Sequence, residues 1–132
     1  MSDSENGFVN SKVDHYVDEY IMLCAQMCKK AEDYTKEKVA VHNKAVQKMH
    51  TLQENMRVDP QFAERVYSVL LNSDDAYVQQ SAATACLFSN IHIRTAVKIL
   101  KRIRRRGDRM SAMAAKRNLL IWKGKLSPDE PF

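Results

Sequence analysis

The feature that most constrains this chain is a helix-forming stretch whose central residues are small. Residues 74–87 read DDAYVQQSAATACL, in which two aspartates precede alanines, a valine and a leucine at helical spacing. Alanine has the highest helix propensity of all residues and almost no bulk, so it allows a neighbouring backbone to approach closely. The stretch therefore predicts a helix that packs tightly against other helices.

The same pattern of small residues returns 32 positions later. Comparison of residues 75–88 with residues 107–120 gives three identities: Ala82 with Ala114, Ala83 with Ala115, and Leu87 with Leu119. Both stretches lie in the second helix of a predicted hairpin. An internal repeat of this length is typical of helical solenoids, in which each hairpin buries its apolar face against the next.

The rest of the chain is also predicted to be helical. Its 132 residues include only 3 Gly and 3 Pro, which leaves few tight turns for a sheet. Helix starts are indicated by Thr35, by Asp59 with Pro60, by Ser73 or Asp74, and by Asp108, and helix ends by Asn90 and Gly107. We predict an all-α fold of about three antiparallel helix hairpins over residues 11–126, between a disordered tail at residues 1–10 and a C-terminal tail at residues 127–132.

Residues 71–83, LNSDDAYVQQSAA, resemble the second half of a HEAT repeat. That pattern has an Asp in the turn, followed by a Val, a pair of small residues and a Leu. Gln79 stands where an Arg is usual. We expect this departure to remove a group that forms hydrogen bonds between repeats.

Residues 13–126 resemble the bacterial DUF2019 family through VDEYIMLCAQMCKKA, VHNKAVQKMHTL, YVQQSAATACLFSNIHIRTAVKILKRI and LLIWKGKL. Members of that family pair an acidic first helix with a second helix containing HN(R/K)…KM, and they end near a W(K/R) motif. The resemblance implies a compact HEAT-like α–α superhelix and no established activity. The C-terminal stretch of the family is less basic, so nothing inferred from the arginines below is inherited from it.

Positive charge is concentrated in the C-terminal third. From Arg94 to Lys125 there are twelve Lys or Arg and one acidic residue, Asp108, whereas the remainder of the chain has nine basic and fifteen acidic residues. Five of the cations share one face of the predicted helix, at spacings i, i+4, i+7, i+8 and i+11. With two further arginines they form a candidate binding surface, the basic face, which consists of Arg94, Lys98, Lys101, Arg102, Arg105, Arg106 and Arg109.

Two interpretations of the basic face stay open. A positive surface of this kind attracts phosphate backbones and speeds association with acidic proteins. The alternative is a solvated charged face without a partner, because in a HEAT-like stack this helix is the outer one of its pair and solenoids usually grip ligands on their concave side. No aromatic residue interleaves the arginines, so a platform for stacking single-stranded nucleic acid is not indicated.

No catalytic or metal-binding motif is found. The glycines stand alone, so there is no phosphate-binding loop. The Cys24–Cys28 pair supplies only two ligands with no His at zinc-like spacing behind it, and no acid pairs with the histidines at metal spacing. We expect the three cysteines, Cys24, Cys28 and Cys86, to be small buried hydrophobic residues in a reducing compartment. The four histidines, His15, His42, His50 and His92, are expected to be exposed or half-buried. We predict no cofactor and no metal.

These observations favour a non-enzymatic protein-interaction module of a small bacterial protein. No apolar run approaches the ~18 residues of a membrane span, and the polar N-terminus does not resemble a signal peptide, so we expect a cytoplasmic protein with no membrane partner. By analogy of size and fold, an immunity or antitoxin-like protein is the narrower hypothesis. The alternative function is nucleic-acid binding through the basic C-terminal helices. No oligomeric state is predicted.

Overall fold

A computed structural model of the protein describes the backbone of residues 3–28 and 35–130, and the side chains of residues 10–28 and 35–130. This part of the chain contains six helices and no strand: α1 (Asp3–Met27), α2 (Lys36–Arg57), α3 (Pro60–Leu70), α4 (Ala76–Ser89), α5 (Ile93–Arg106) and α6 (Arg109–Trp122). The all-α prediction is confirmed. Of the two predicted tails, residues 1–2 and 131–132 lie outside the described residues.

The chain divides into two compact units, Met1–Val69 and Leu70–Phe132. In the first unit α1 and α2 pack along each other, and the short link between them makes this pair an antiparallel hairpin. In the second unit α5 packs along α6 in the same way, and α4 packs on both. Two of the three predicted hairpins are therefore present. Helices α3 and α4 belong to different units, so the third hairpin and the superhelix stay predictions.

Helix α1 begins at Asp3, well before the start predicted at Ser11. The predicted disordered tail thus overlaps the helix at residues 3–10. The polar composition of this segment suggested a tail, but the segment also contains Asp3 and Glu5 and no Pro. Acidic residues stabilise the positive end of the helix dipole, and nothing in this segment prevents helical backbone angles.

Three of the predicted N-caps are confirmed by hydrogen bonds. Thr35 Oγ1 accepts from the Lys38 amide at 3.3 Å. Asp59 Oδ1 accepts from the Phe62 amide at 3.2 Å. Each bond satisfies a backbone donor that has no partner within its helix, which stabilises the helix by about 1 kcal/mol. The third, Asp108, is described with the basic face below.

The N-cap of α4 was predicted at Ser73 or Asp74, and that prediction is wrong by one or two residues. Asp75 is the cap, and its Oδ1 accepts from the amides of Tyr77 at 2.9 Å and Val78 at 3.1 Å. Ser73 Oγ instead accepts from the Asp75 amide at 3.1 Å. The serine therefore fixes the turn that holds the capping carboxylate in place.

Aromatic rings fill much of the core of the first unit. Tyr20 is 0% exposed, and its ring meets that of Tyr67 edge-on, with centroids 6.2 Å apart. Tyr16 and Phe62 form a second edge-on pair at 4.9 Å. Contacts of this kind stabilise a protein by roughly 1 kcal/mol each beyond the area that they bury. Both tyrosines of α1 therefore contribute to the packing of the first unit.

Small side chains lie among larger aliphatic residues in the core of the second unit. Ala82 and Ala83 of α4 and Ala115 of α6 are each 0% exposed, and Ala114 is half-buried. These are the positions at which the repeat predicted close helix contact, and α4 and α6 do pack together. The two copies of the repeat differ in burial near their first apolar position, because Val78 is 1% exposed whereas Met110, its counterpart, is 81% exposed.

A left-handed turn separates α4 from α5. Asn90 ends α4 with a φ of 60°, and His92 begins α5 with a φ of 48°. Asn tolerates this backbone region better than most residues, and the conformation reverses the chain within a few residues. The prediction that Asn90 separates the two helices is confirmed, and the turn directs α5 back along α4.

Candidate binding surface

Helix α5, which carries the basic face, has one apolar and one cationic side. Its buried residues are Ala96, Ile99, Leu100 and Ile103. Five cations of the basic face form a stripe along the opposite side of the helix. At about 100° per residue they occupy an arc of roughly 100°: Arg94, Lys98, Lys101, Arg102 and Arg105. Burial of the apolar side therefore fixes the direction in which the stripe points.

The structure brings the predicted residues together on one exposed surface. Six members of the basic face are exposed, and Lys101 is half-buried. The stripe from Arg94 to Arg105 runs for about 17 Å along α5 at 1.5 Å per residue. Arg104, which was not among the predicted residues, is also exposed and lies on the flank of the stripe. Its place in the RRR run of residues 104–106 was the signal for it.

The basic face is not neutralised within the described part of the chain. The described side chains place a carboxylate oxygen of Glu19 3.6 Å from His15 Nε2 and pair Arg57 with Glu54 at 3.2 Å, and both contacts lie in the first unit. Among the side chains that the structure describes, no carboxylate lies within ion-pair distance of a member of the basic face. Seven neighbouring cations without ion-pair partners maintain a positive potential over this surface.

One member of the face has a structural role. Arg102 donates a hydrogen bond to Gln79 Oε1 at 2.7 Å, and Gln79 Nε2 donates to the Leu71 carbonyl oxygen at 2.8 Å. The expectation that Gln79 removes a hydrogen-bonding group is therefore wrong, because the amide both donates and accepts. The Gln79 side chain thus links α5 to the segment that precedes α4. A guanidinium has five N–H donors, so Arg102 retains others for a ligand.

The turn from α5 to α6 places Arg106 and Arg109 at the end of the stripe. Gly107 ends α5 as predicted, although its φ of −73° is accessible to any residue. Glycine is needed for space, because a Cβ there would lie 2.6 Å from the Ile103 carbonyl oxygen. A side chain at position 107 would therefore force the backbone apart and shift the two arginines that flank the turn.

Asp108 is the N-cap of α6, as predicted. Its Oδ1 accepts from the Ser111 amide at 2.9 Å and its Oδ2 from the Ser111 hydroxyl at 3.0 Å. These bonds favour the ionised carboxylate and lower the pKa of Asp108 below its usual value, the backbone bond having the larger effect. The one acidic residue between Arg94 and Lys125 is therefore engaged in capping a helix.

The cysteines and histidines do not form a site in the described residues. Cys24 and Cys86 are buried, and burial raises the pKa of the Cys86 thiol to about 12. Cys28 was predicted to be buried but is exposed, because it follows the last residue of α1 and leaves the packed helix face. His15, His50 and His92 are exposed and His42 is half-buried, as expected. The described residues contain no group of three or more His, Cys, Asp or Glu that could hold a metal ion.

A groove between α1 and α2 was not predicted from the sequence. It has a volume of about 540 Å³, and its walls combine the His15–Glu19 pair with Lys44, Lys48 and amide side chains of α2. Most of the residues that line it are exposed. No local pattern indicated this groove, since both helix faces have the mixed composition of an ordinary solvated surface.

Comparisons with known proteins assign no function to this chain, so a function has to be inferred from the geometry of the surface. No protein-family model, curated protein or solved structure matches the chain. None of the helices in residues 3–28 and 35–130 combines the length and the apolar character required to cross a bilayer.

Proposed function

We propose that this protein is a non-enzymatic interaction module that binds an acidic protein through the basic face. The observation that carries the proposal is the exposed run of cations on α5 and at the start of α6, without carboxylate partners among the described side chains. A positive potential of this kind accelerates encounter with a negative surface and disfavours partners of like charge.

The composition of the core supports a binding role over a catalytic one. Among the described residues no charged or strongly polar side chain is buried, and the core consists of hydrophobic residues that include Tyr and Cys. Enzymes commonly hold titratable groups in clefts where their pKa values are shifted for the reaction. The two shifts described above have structural causes instead, since burial raises the pKa of Cys86 and helix capping lowers that of Asp108.

The sequence resemblances agree with a scaffold of this type. The DUF2019 family and HEAT repeats both suggest a helical framework, and neither implies an established activity. By analogy we further propose a bacterial cytoplasmic protein of the immunity or antitoxin type, which blocks one cognate partner. This narrower proposal predicts a one-to-one complex with the product of a neighbouring gene.

Charge reversal on the stripe tests the proposal. The test variant is Lys98→Glu with Arg105→Glu, which leaves the Arg102–Gln79 hydrogen bond in place. The control is Lys44→Glu with Lys48→Glu, which makes the same change of charge on exposed residues of α2. Tagged proteins are purified from native cells after nuclease treatment, and the recovered complex is titrated by calorimetry.

We expect the wild type and the control to retain a stoichiometric acidic protein. The stripe variant should bind that protein about tenfold more weakly or worse, mainly through slower association. Circular dichroism must show that both variants remain folded. Recovery of no stoichiometric partner, or equal affinity of the stripe variant and the wild type, would refute the proposal.

Nucleic-acid binding is the second candidate, and the predominance of arginine favours it. Five of the seven members of the basic face are Arg, whose planar fork binds phosphate oxygens in pairs. Titration of duplex DNA at rising salt distinguishes this candidate. Each neutralised phosphate contributes about −0.9 to the slope of log K against log salt. A slope of several units that flattens in the stripe variant supports it, and a slope near zero removes it.

A further inference from the structure

Two exposed methionines lie beside the basic face on α6. Met110 is 81% exposed and Met113 is 46% exposed. They are three residues apart on one helix, so their side chains are neighbours on the same surface. We call this pair the methionine patch.

Arginines border the patch at its N-terminal end. Arg109 precedes Met110 directly and lies one turn before Met113, and Arg106 stands across the Gly107–Asp108 turn. At the other end, Arg117 lies one turn beyond Met113 and donates a hydrogen bond to the Pro128 carbonyl oxygen at 2.7 Å. The cations beside the patch that carry no such bond in the structure are therefore Arg106 and Arg109, both members of the basic face.

This combination suits a partner that is both acidic and apolar. Methionine is unbranched and polarisable, so it adapts to the shape of an apolar side chain placed on it. The second unit has twelve basic and five acidic residues, which favours a partner of negative charge. An acidic loop would satisfy the arginines and leave the methionines in water. A helix with one apolar row beside its carboxylates would satisfy both.

We infer that the partner presents an acidic amphipathic helix, whose apolar row covers Met110 and Met113 and whose carboxylates pair with Arg106 and Arg109. This inference rests on the proposed function, since it specifies the acidic partner that the basic face attracts. It corresponds to a common mode of recognition, in which apolar residues at i, i+3 and i+4 anchor one helix to another surface.

Two synthetic peptides of identical composition test the inference. The first is a helix-forming 18-residue peptide, of our design, with leucines in one row and glutamates beside them. The second has the same residues with the leucines spread around the helix. The test variant is Met110→Gln with Met113→Gln, which keeps side-chain length and helix propensity. The control is Met22→Gln, at a methionine of α1 that is 48% exposed.

We expect the wild type and the Met22→Gln control to bind the first peptide about tenfold more tightly than the second, and the double variant to lose that difference. Lys98→Glu with Arg105→Glu should weaken both peptides equally, which separates the charge contribution from the apolar one. Equal binding of the two peptides, or no binding of the first, overturns the inference, even if the basic face still captures an acidic protein. Sedimentation that shows a dimer of the wild type, lost in the methionine variant, overturns it as well and assigns the patch to a second copy of the chain.

Discussion

The two compact units differ in the side chains that they bury and in their net charge. Among its described side chains the first unit buries three aromatic ones, those of Tyr20, Phe62 and Tyr67. Its sequence has nine basic and eleven acidic residues, a net charge of −2. In the second unit no aromatic side chain of the described residues is buried. That unit has twelve basic and five acidic residues, a net charge of +7.

The two units are therefore stabilised by different kinds of core residue and carry different surface charge. Large rings give the first unit much apolar area from few side chains, and its surface charges nearly balance. The second unit is held by alanines and aliphatic residues, and its charge is unbalanced. Net charge of one sign lowers the stability of a compact state through self-repulsion. Self-repulsion leaves the excess of cations with no stabilising role, which agrees with the acidic partner that we propose.

Thiol labelling measures how well each unit protects its buried cysteine, and its expected effect is the largest. Cys24 reports on the first unit and Cys86 on the second, and each is 1% exposed or less, whereas Cys28 is exposed. The thiolate is the reactive form, and burial raises the pKa of Cys86 from 9.0 to about 12. At pH 8 we therefore expect Cys86 to react with a maleimide about 10³-fold or more slowly than Cys28, as followed by mass spectrometry of the peptides.

The same experiment compares the stability of the units. Cys24 should also react far more slowly than Cys28, and each tenfold difference between Cys24 and Cys86 corresponds to about 1.4 kcal/mol in the free energy of opening. In concentrated urea all three thiols should react at similar rates, which is the control. Labelling of Cys86 within tenfold of Cys28 under native conditions would show that the second unit is not packed as described.

Much of the fold was predictable, because it depends on local spacing. The caps at Thr35, Asp59 and Asp108 have side-chain oxygens three residues before the amides that they accept from, and sequence shows that arrangement directly. The alanines at 82 and 83 also lie where helical periodicity placed them, in the core. The basic face was predictable for the same reason, since one helix contains nearly all of it.

The remainder depends on contacts between residues far apart in sequence. The Gln79–Arg102 hydrogen bond joins two helices, and no local pattern pairs these side chains. The α4 cap was assigned to Ser73 or Asp74 because three consecutive residues can serve as caps, and only the backbone shows that Asp75 does. Cys28 was misplaced by continuing the buried face of α1 to the residue that follows the end of the helix.

Enlarging a buried alanine tests whether the second unit depends on small residues. Ala83 is 0% exposed, so Ala83→Leu inserts three carbon atoms where helices meet. We expect the free energy of unfolding to fall by about 2 kcal/mol, because overpacking displaces neighbouring side chains and backbone. Urea unfolding followed by circular dichroism measures the change.

Ala25→Leu, at an exposed position on α1 of the first unit, is the matched control for that substitution. Its effect should stay within about 0.5 kcal/mol, as is usual for surface changes. Equal stability of the Ala83→Leu variant and the wild type would mean that the core has unfilled space beside Ala83. The close packing attributed to the small residues of α4 would then be incorrect.

Acid unfolding provides the smallest effect and concerns the second unit alone. The pKa of Asp108 is lower in the folded protein than in the unfolded chain, so the unfolded chain binds more protons at acidic pH. The contribution of this carboxylate is therefore complete above its unfolded pKa and disappears as the pH falls through its folded pKa. In Asp108→Asn the amide oxygen still accepts from the Ser111 amide, but no carboxylate titrates.

We therefore expect wild type to be more stable than Asp108→Asn at pH 7 and the two proteins to converge below about pH 4. Urea midpoints at constant ionic strength, from pH 7 down to pH 3, measure the convergence. Asp74→Asn, at an exposed aspartate that caps no helix, controls for the loss of a negative charge from a unit that is already strongly positive. A gap between wild type and Asp108→Asn that is the same at pH 3 as at pH 7 would mean that the capping bonds to Ser111 do not depend on the charge of Asp108. The lowered pKa would then contribute nothing to the stability of α6, and the cap would act through geometry alone.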